Sequence, residues 1–171
     1  MRKIVVAVLS CLLVFDVSAV LAGTKSGDSE IGVQMSYQNM SAGDIDGDVM
    51  IIAGKFAYFL TDAISLGGTT AGVAFSSGDT DVTSVTLELE PNYHFNTASN
   101  VVPYAGVHTG MAIVDYGDGS NSEIDYGLQG GMKFFLSEST AFDTQLRFTR
   151  YSVDDTDVDV KEIRIGLNIY F

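Results

Sequence analysis

Between Thr83 and Phe95 the chain alternates strictly in polarity. Val85, Leu87, Leu89, Pro91, Tyr93 and Phe95 share one face, and Thr86, Glu88, Glu90, Asn92 and His94 share the other. A period of two belongs to an extended strand, because successive side chains of a strand point to opposite faces. The stretch 161–171 repeats the pattern: Ile163, Ile165, Leu167, Ile169 and Phe171 oppose Glu162, Arg164, Gly166, Asn168 and Tyr170. Such segments must pair their backbones with neighbours and find an apolar environment for one face only. Applied along the chain, the template predicts strands at 30–38, 49–59, 64–75, 83–95, 101–114, 123–135, 141–151 and 161–171. The connections between them run 10, 4, 7, 5, 8, 5 and 9 residues, long and short in turn. An all-β, up-and-down meander of eight antiparallel strands follows, without a linker or a second domain.

The amino end stands apart. Arg2 and Lys3 precede an apolar stretch from Ile4 to Phe15, and small residues at Val17-Ser18-Ala19 and Val20-Leu21-Ala22 offer a cleavage point. Residues 1–22 are read as a secretory signal peptide and 23–171 as the barrel domain. Ile4–Phe15 is too short to span a bilayer as a helix, and no later apolar run approaches the ~20 residues that a spanning helix needs. The one cysteine, Cys11, lies in this leader, so the remainder carries no disulfide or thiolate. The formal charge of −13 argues against nucleic acid as a partner, since binding it requires a basic footprint.

Alternation alone does not say which face points inward. A soluble lipocalin-like barrel puts the apolar face inside, and a membrane barrel puts it outside. Three features favour the membrane. The predicted strands match the ~9–11 residues that a tilted strand needs to cross a bilayer. The apolar faces carry almost no charge, Arg150 being the exception. The polar faces hold Lys55, Lys133, Arg147 and Arg164 against Glu88, Glu90, Asp125 and Asp143, a balanced set that suits a narrow lumen in which charges must be paired. The aromatics are also sorted by position. Phe56, Tyr58, Phe59, Tyr93, Phe95, Tyr104, Phe134, Phe135, Phe142, Tyr170 and Phe171 lie beside the short turns or the carboxyl end. Tyr37, Phe75, Tyr116, Tyr126, Phe148 and Tyr151 lie near the long connections. Two aromatic belts are what two lipid–water interfaces select.

Several segments carry a family resemblance: Gly54-Lys55-Phe56-Ala57-Tyr58-Phe59-Leu60-Thr61-Asp62, Val102-Pro103-Tyr104-Ala105-Gly106, Gly130-Gly131-Met132-Lys133-Phe134-Phe135-Leu136-Ser137 and Ile165-Gly166-Leu167-Asn168-Ile169-Tyr170-Phe171. Taken in order, they resemble the small OmpA-like and OmpX-like eight-stranded outer-membrane barrels of Gram-negative bacteria. The resemblance covers the chain beyond the leader. It implies export to the outer membrane, with short turns in the periplasm and long loops outside. It also implies an assembly signal at Tyr170 and Phe171 for the barrel-assembly machinery. The peptidoglycan-binding domain that follows the OmpA barrel has no counterpart here, so that role does not carry over.

The interior of an eight-stranded barrel is just wide enough for its side chains. Lys55, Glu88, Glu90, Asp125, Lys133, Asp143, Arg147 and Arg164 are therefore expected as a salt-bridged plug rather than a diffusion path. His94 and His108 fall on the lumen side, but neither stands in a Ser–His–acid spacing, so no catalytic residue is assigned and the chain is read as a non-enzyme. The long connections are acidic, with Asp44, Asp46, Asp48, Asp79, Asp81, Asp115, Asp118, Asp154, Asp155, Asp157 and Asp159 unaccompanied by Lys or Arg. Asp44-Ile45-Asp46-Gly47-Asp48 lacks the Gly and Glu positions of an EF-hand, having Val49 and Lys55 there. Asp44, Asp46, Asp48, Asp155, Asp157 and Asp159 remain weak candidates for Ca²⁺ or Mg²⁺, and no other cofactor is expected. The sequence thus predicts a monomeric outer-membrane protein with a structural or surface-interaction role in envelope integrity or adhesion, in contact with membrane lipid and lipopolysaccharide. A narrow ion or small-solute channel is the alternative, followed by a lipid-modifying enzyme and a soluble lipocalin-like binder.

Overall fold

In a computed structural model the chain forms a closed barrel whose strands follow one another in sequence order. They are β1 (Ser29–Ala42), β2 (Ile45–Phe59), β3 (Ile64–Ser77), β4 (Thr80–His94), β5 (Val101–Asp115), β6 (Ser120–Ser137), β7 (Thr140–Val153) and β8 (Thr156–Tyr170). The structure describes residues 23–42, 45–77, 80–97, 99–115, 120–153 and 156–171; side chains at 39–42, 45–49, 73–77, 80–83, 114–115, 120–121, 152–153 and 156–157 are not described. The leader 1–22, with its cleavage point, lies outside the described residues.

Every strand pairs antiparallel with its neighbours, and β1 joins β8 from Glu30↔Tyr170 to Ser41↔Asp159. Backbone bonds between Ser29 and Phe171, at 2.8 and 3.0 Å, finish that seam. Closure removes the open edge that a sheet cannot carry into hydrocarbon. Both termini lie at one end, here called the terminal end, with the connections 60–63, 95–100 and 138–139; the other end is the distal end.

The faces sort as the alternation predicts. On β4, Glu88, Glu90, Asn92 and His94 point inward and are buried, while Val85, Leu87, Leu89 and Tyr93 are exposed. On β8, Glu162, Arg164, Asn168 and Tyr170 are buried between exposed Ile163, Leu167 and Ile169. The outer surface is a continuous apolar belt: Val33, Ile52, Ile124 and Leu128 are 63–66% exposed. A belt of that size calls for lipid, not water, as its solvent. The inward-apolar, lipocalin-like arrangement is thereby excluded.

Three expectations change. First, the strands run on past their predicted distal ends. Asn39 pairs with Asp48, Ser76 with Asp81 and Ser152 with Asp157, all within connections expected to be loops. Beyond the bilayer both faces of a hairpin meet water, so the backbone ladder continues while the polarity pattern that marked it disappears.

Second, not all terminal-end aromatics belong to an outer belt. Phe56, Tyr58, Tyr93, Phe95 and Phe171 face out, but Phe59, Tyr104, Phe135 and Tyr170 are buried inside. With Val102 and Ala141, three of these, Phe59, Phe135 and Tyr170, form an apolar cluster across the lumen. Ring centroids lie 4.9 Å apart for Phe59–His94, 5.1 Å for Phe135–Tyr170 and 5.5 Å for His94–Tyr104. Third, Arg150 is not alone among outward charges, because Asp159 and Lys161 on β8 also face out. Arg150 Nε and Nη2 donate to the two Asp159 oxygens at 2.8 and 3.1 Å.

Candidate functional site

Above the aromatic plug the lumen is filled by two layers of charge. In the first, Lys133 Nζ donates to Glu30 Oε1 at 2.8 Å and to Asp143 Oδ2 at 3.2 Å. Lys55 Nζ lies 3.3 Å from the same Glu30 oxygen and 3.6 Å from Asp143. The Tyr104 hydroxyl donates to Asp143 Oδ1 at 2.9 Å, the Tyr170 hydroxyl to Glu30 Oε2 at 3.1 Å and Asn168 Nδ2 to Asp143 Oδ2 at 3.1 Å. Both ammonium groups also lie over the Tyr104 ring, 5.3 and 5.6 Å from its centroid, where the ring's quadrupole attracts them. Two cations and two anions are fully removed from water here, and six strands contribute a member: β1, β2, β5, β6, β7 and β8.

The second layer is built on guanidinium groups. Arg147 grips Glu88 with two parallel bonds of 2.8 and 2.9 Å and reaches Glu162 at 3.4 Å. Arg164 donates to Glu162 at 2.6 Å, to Glu88 at 3.2 Å and to Glu90 at 3.5 Å. Thr69 Oγ1 donates to Glu90 at 2.9 Å. The planar fork of Arg suits such bridging, because each guanidinium offers five donors to several carboxylates at once. With the aromatic plug beneath, these layers place buried side chains and ion pairs along this part of the lumen among the described residues.

Seven of the eight charged residues predicted for the lumen are thus drawn into two ion-paired clusters. The eighth, Asp125, is buried but accepts no side-chain hydrogen bond. Two further acids, Glu30 and Glu162, join the clusters from outside the expected eight. Glu30 begins its predicted strand, where alternation has no preceding partner to fix its phase. Glu162 carries a usable signal, since it shares a face with Arg164 two residues on. With them, the expected four bases against four acids become four against six among the described residues.

Of the loop candidates, the side chains of Asp44, Asp46, Asp48, Asp155 and Asp157 fall outside what the structure describes. Asp159 lies within β8 and holds Arg150 on the outer face. Beside that pair, Val107, Tyr126, Leu128 and Phe148 line an outer groove of about 600 Å³ whose distal rim carries Arg150 and Lys161.

Both histidines are buried inside the barrel. His94 Nε2 lies 2.9 Å from Ser65 Oγ, a contact that the sequence spacing did not suggest. Its Nδ1 has no hydrogen-bond partner, so the acid that would orient a catalytic histidine is missing from this pair. His108 Nε2 lies 2.9 Å from Thr149 Oγ1. The predicted assembly residues part company: Tyr170 turns into the lumen, and Phe171 stays exposed on the outside.

An eight-stranded closed barrel with an apolar exterior and a charged interior defines a small transmembrane β-barrel. The chain belongs to the outer membrane protein beta-barrel domain family, whose model matches residues 7–171. Its place is the bacterial outer membrane. Comparison with curated proteins finds no match. Among solved structures the chain is similar to Neisserial surface protein A (NspA), with a TM-score of 0.72 and 16% identity over 85% of this chain and 100% of that one. It is also similar to OprG from Pseudomonas aeruginosa, with a TM-score of 0.58 and 17% identity over 87% of this chain and 98% of that one. Ail, the attachment invasion locus protein of Yersinia pestis, aligns with a TM-score of 0.57 and 17% identity over 85% and 99% of the two chains. At these identities the likeness is one of fold.

Proposed function

We propose that this protein is a closed, monomeric outer-membrane barrel with a non-enzymatic role in envelope integrity and surface attachment. The observation that supports it is the lumen, where ion pairs of 2.6–3.5 Å stand above an aromatic plug. What the protein does is then done at its surfaces. Its acidic distal hairpins suit a cationic partner or divalent cations. One related structure, Ail, is named for attachment and has been seen with a heparin analogue, a polyanion. The Asp-rich distal end of this chain would repel such a ligand, so a shared fold here goes with a different partner. The outer groove with Arg150 and Lys161 at its rim suits an acyl chain and the anionic headgroup of lipopolysaccharide.

The test has two arms. Purified barrel in planar bilayers is expected to stay silent across a range of voltages; steady unitary currents would replace this reading with a channel. A deletion strain is expected to gain detergent sensitivity or lose attachment to surfaces, and a strain unchanged in both would remove the role proposed.

A further inference from the structure

The surplus of negative charge in the lumen sits in one place. Around Lys55 and Lys133 the charges balance, two against two. Around Arg147 and Arg164 stand Glu88, Glu90 and Glu162, and Asp125 adds a fourth carboxylate. Asp125 is 0% exposed, and neither oxygen accepts a hydrogen bond. A carboxylate so placed is among the costliest groups that an interior can hold.

Its neighbours are of a particular kind. One donor atom each from Glu88, His108 and Asp125 lies within 4.8 Å of the other two. His108 engages Thr149 through Nε2, while its buried Nδ1 has no hydrogen-bond partner. Two glycines make the space. In register, Glu88 faces Gly110 and Gly110 faces Asp125, so the two acids flank a residue with no side chain. A Cβ on Gly110 would stand 2.8 Å from Glu88 Cγ and 3.0 Å from Asp125 Oδ2. A Cβ on Gly127, opposite His108, would stand 2.6 Å from the imidazole.

We propose that Glu88, His108 and Asp125 bind one divalent transition-metal ion of the Zn²⁺ type inside the lumen. Two carboxylates and an imidazole are a donor set that such ions take. Tetrahedral Zn²⁺ at ~2.0–2.2 Å from its ligands spaces them roughly 3.4 Å apart, which small side-chain movements reach from the present arrangement. A dication cancels the surplus of two. In the tautomer whose Nε2–H donates to Thr149, Nδ1 keeps its lone pair for the metal and the ring is fixed, the usual outer-shell arrangement of a ligating histidine. The Arg147 fork does not exhaust Glu88, since an ionised carboxylate has about four acceptor positions. The ion links the adjacent strands β4, β5 and β6 on the lumen side of the wall. This site is separate from the acidic distal hairpins and stands whether or not the surface role does.

The full chain, folded in detergent and stripped with EDTA, is titrated with Zn²⁺ by calorimetry beside Asp125→Asn, His108→Gln and the control Glu138→Gln, an exposed acid in a terminal-end turn. One Zn²⁺ per barrel is expected for the unaltered chain and the control. Loss in the other two should exceed the roughly 10- to 100-fold that outer-shell changes cause. Melting supplies a sign reversal. In EDTA, Asp125→Asn melts above the unaltered chain, because an uncompensated charge is gone; in Zn²⁺ it melts below. Absence of stoichiometric binding overturns the site, as does equal binding by both variants. So does Asp125→Asn melting higher in both media, which would mean that a proton takes the metal's place. If the variants do not fold, Co²⁺ on the unaltered chain decides: a d–d absorption band displaced by Zn²⁺ supports the site, and no band overturns it.

Discussion

Lys133 Nζ lies 2.8 Å from Glu30 Oε1 across the lumen, joining residues 103 positions apart in the chain. The Tyr170 hydroxyl binds the other Glu30 oxygen, so one carboxylate ties β6 to β1 and β1 to β8. Both groups are fully buried, and removing either leaves the other charge without water or a full set of partners. Glu30→Gln or Lys133→Met alone should therefore cost about 3–5 kcal/mol of folding stability. The double variant should cost clearly less than the sum, as equilibrium urea unfolding in vesicles will measure.

The fit of Tyr104 gives a second prediction. A Cβ on Gly131 would stand 2.7 Å from the Tyr104 hydroxyl and would also meet the backbone carbonyl of Thr144. Gly131→Ala is expected to destabilise by about 1–3 kcal/mol through overpacking, with Tyr104 displaced from Asp143. Tyr104→Phe, which removes only a bond to a charged acceptor, is expected to cost about 1.5–3 kcal/mol. Because both act on one contact, their effects should not add.

The outer belt sets a depth-dependent prediction. Leu146 lies midway along the apolar face of β7 and is 56% exposed. Leu146→Arg should cost about 2–4 kcal/mol, as a charge at the bilayer midplane does. Ile124→Arg, nearer the distal interface, should cost about 0–1 kcal/mol. Equal costs at the two positions would mean that the belt does not sit in the membrane as drawn.

Closure of the lumen is redundant, and conductance can show it. Phe59→Ala opens the aromatic plug at a cost of about 3–5 kcal/mol, yet the charged layers still block the way. Planar-bilayer recordings should stay silent for this variant. Only when both charged layers are opened as well, by Glu30→Ala with Lys133→Ala in the first and Arg147→Ala with Arg164→Ala in the second, should the same substitution give current.

How much of this was legible depends on phase. Over Val85–His94 of β4 and Glu162–Tyr170 of β8 polar and apolar residues alternate, and the inward set Glu88, Glu90, Arg164 and Asn168 follows from the sequence directly. The distal extensions did not follow, because polar residues run together there, as at Gln38-Asn39, Ser76-Ser77 and Asp154-Asp155, and no alternation records the pairing. The aromatic plug was obscured for another reason. Phe59, Tyr104, Phe135 and Tyr170 lie near strand ends, where belts are expected, and distance along the strand outweighed phase. Phase would have sorted them: Phe135 stands two residues from Lys133, and Tyr170 two from Asn168. The meeting of Glu88, His108 and Asp125 lay beyond any single-strand pattern, since it needs the register of three strands and the glycines between them.

The first charged layer also has a meaning for how the barrel is made. Its carboxylate on β1 and the tyrosine on β8 meet only when the first and last strands have joined, and the lysine on β6 finds its full set of partners only then. A sheet entering the bilayer with that seam open would carry uncompensated ammonium and carboxylate groups into hydrocarbon, a state that the membrane opposes strongly. Insertion and ring closure are therefore coupled steps. Half-assembled barrels should be expelled or held at the interface, and the population in the membrane should consist of finished rings.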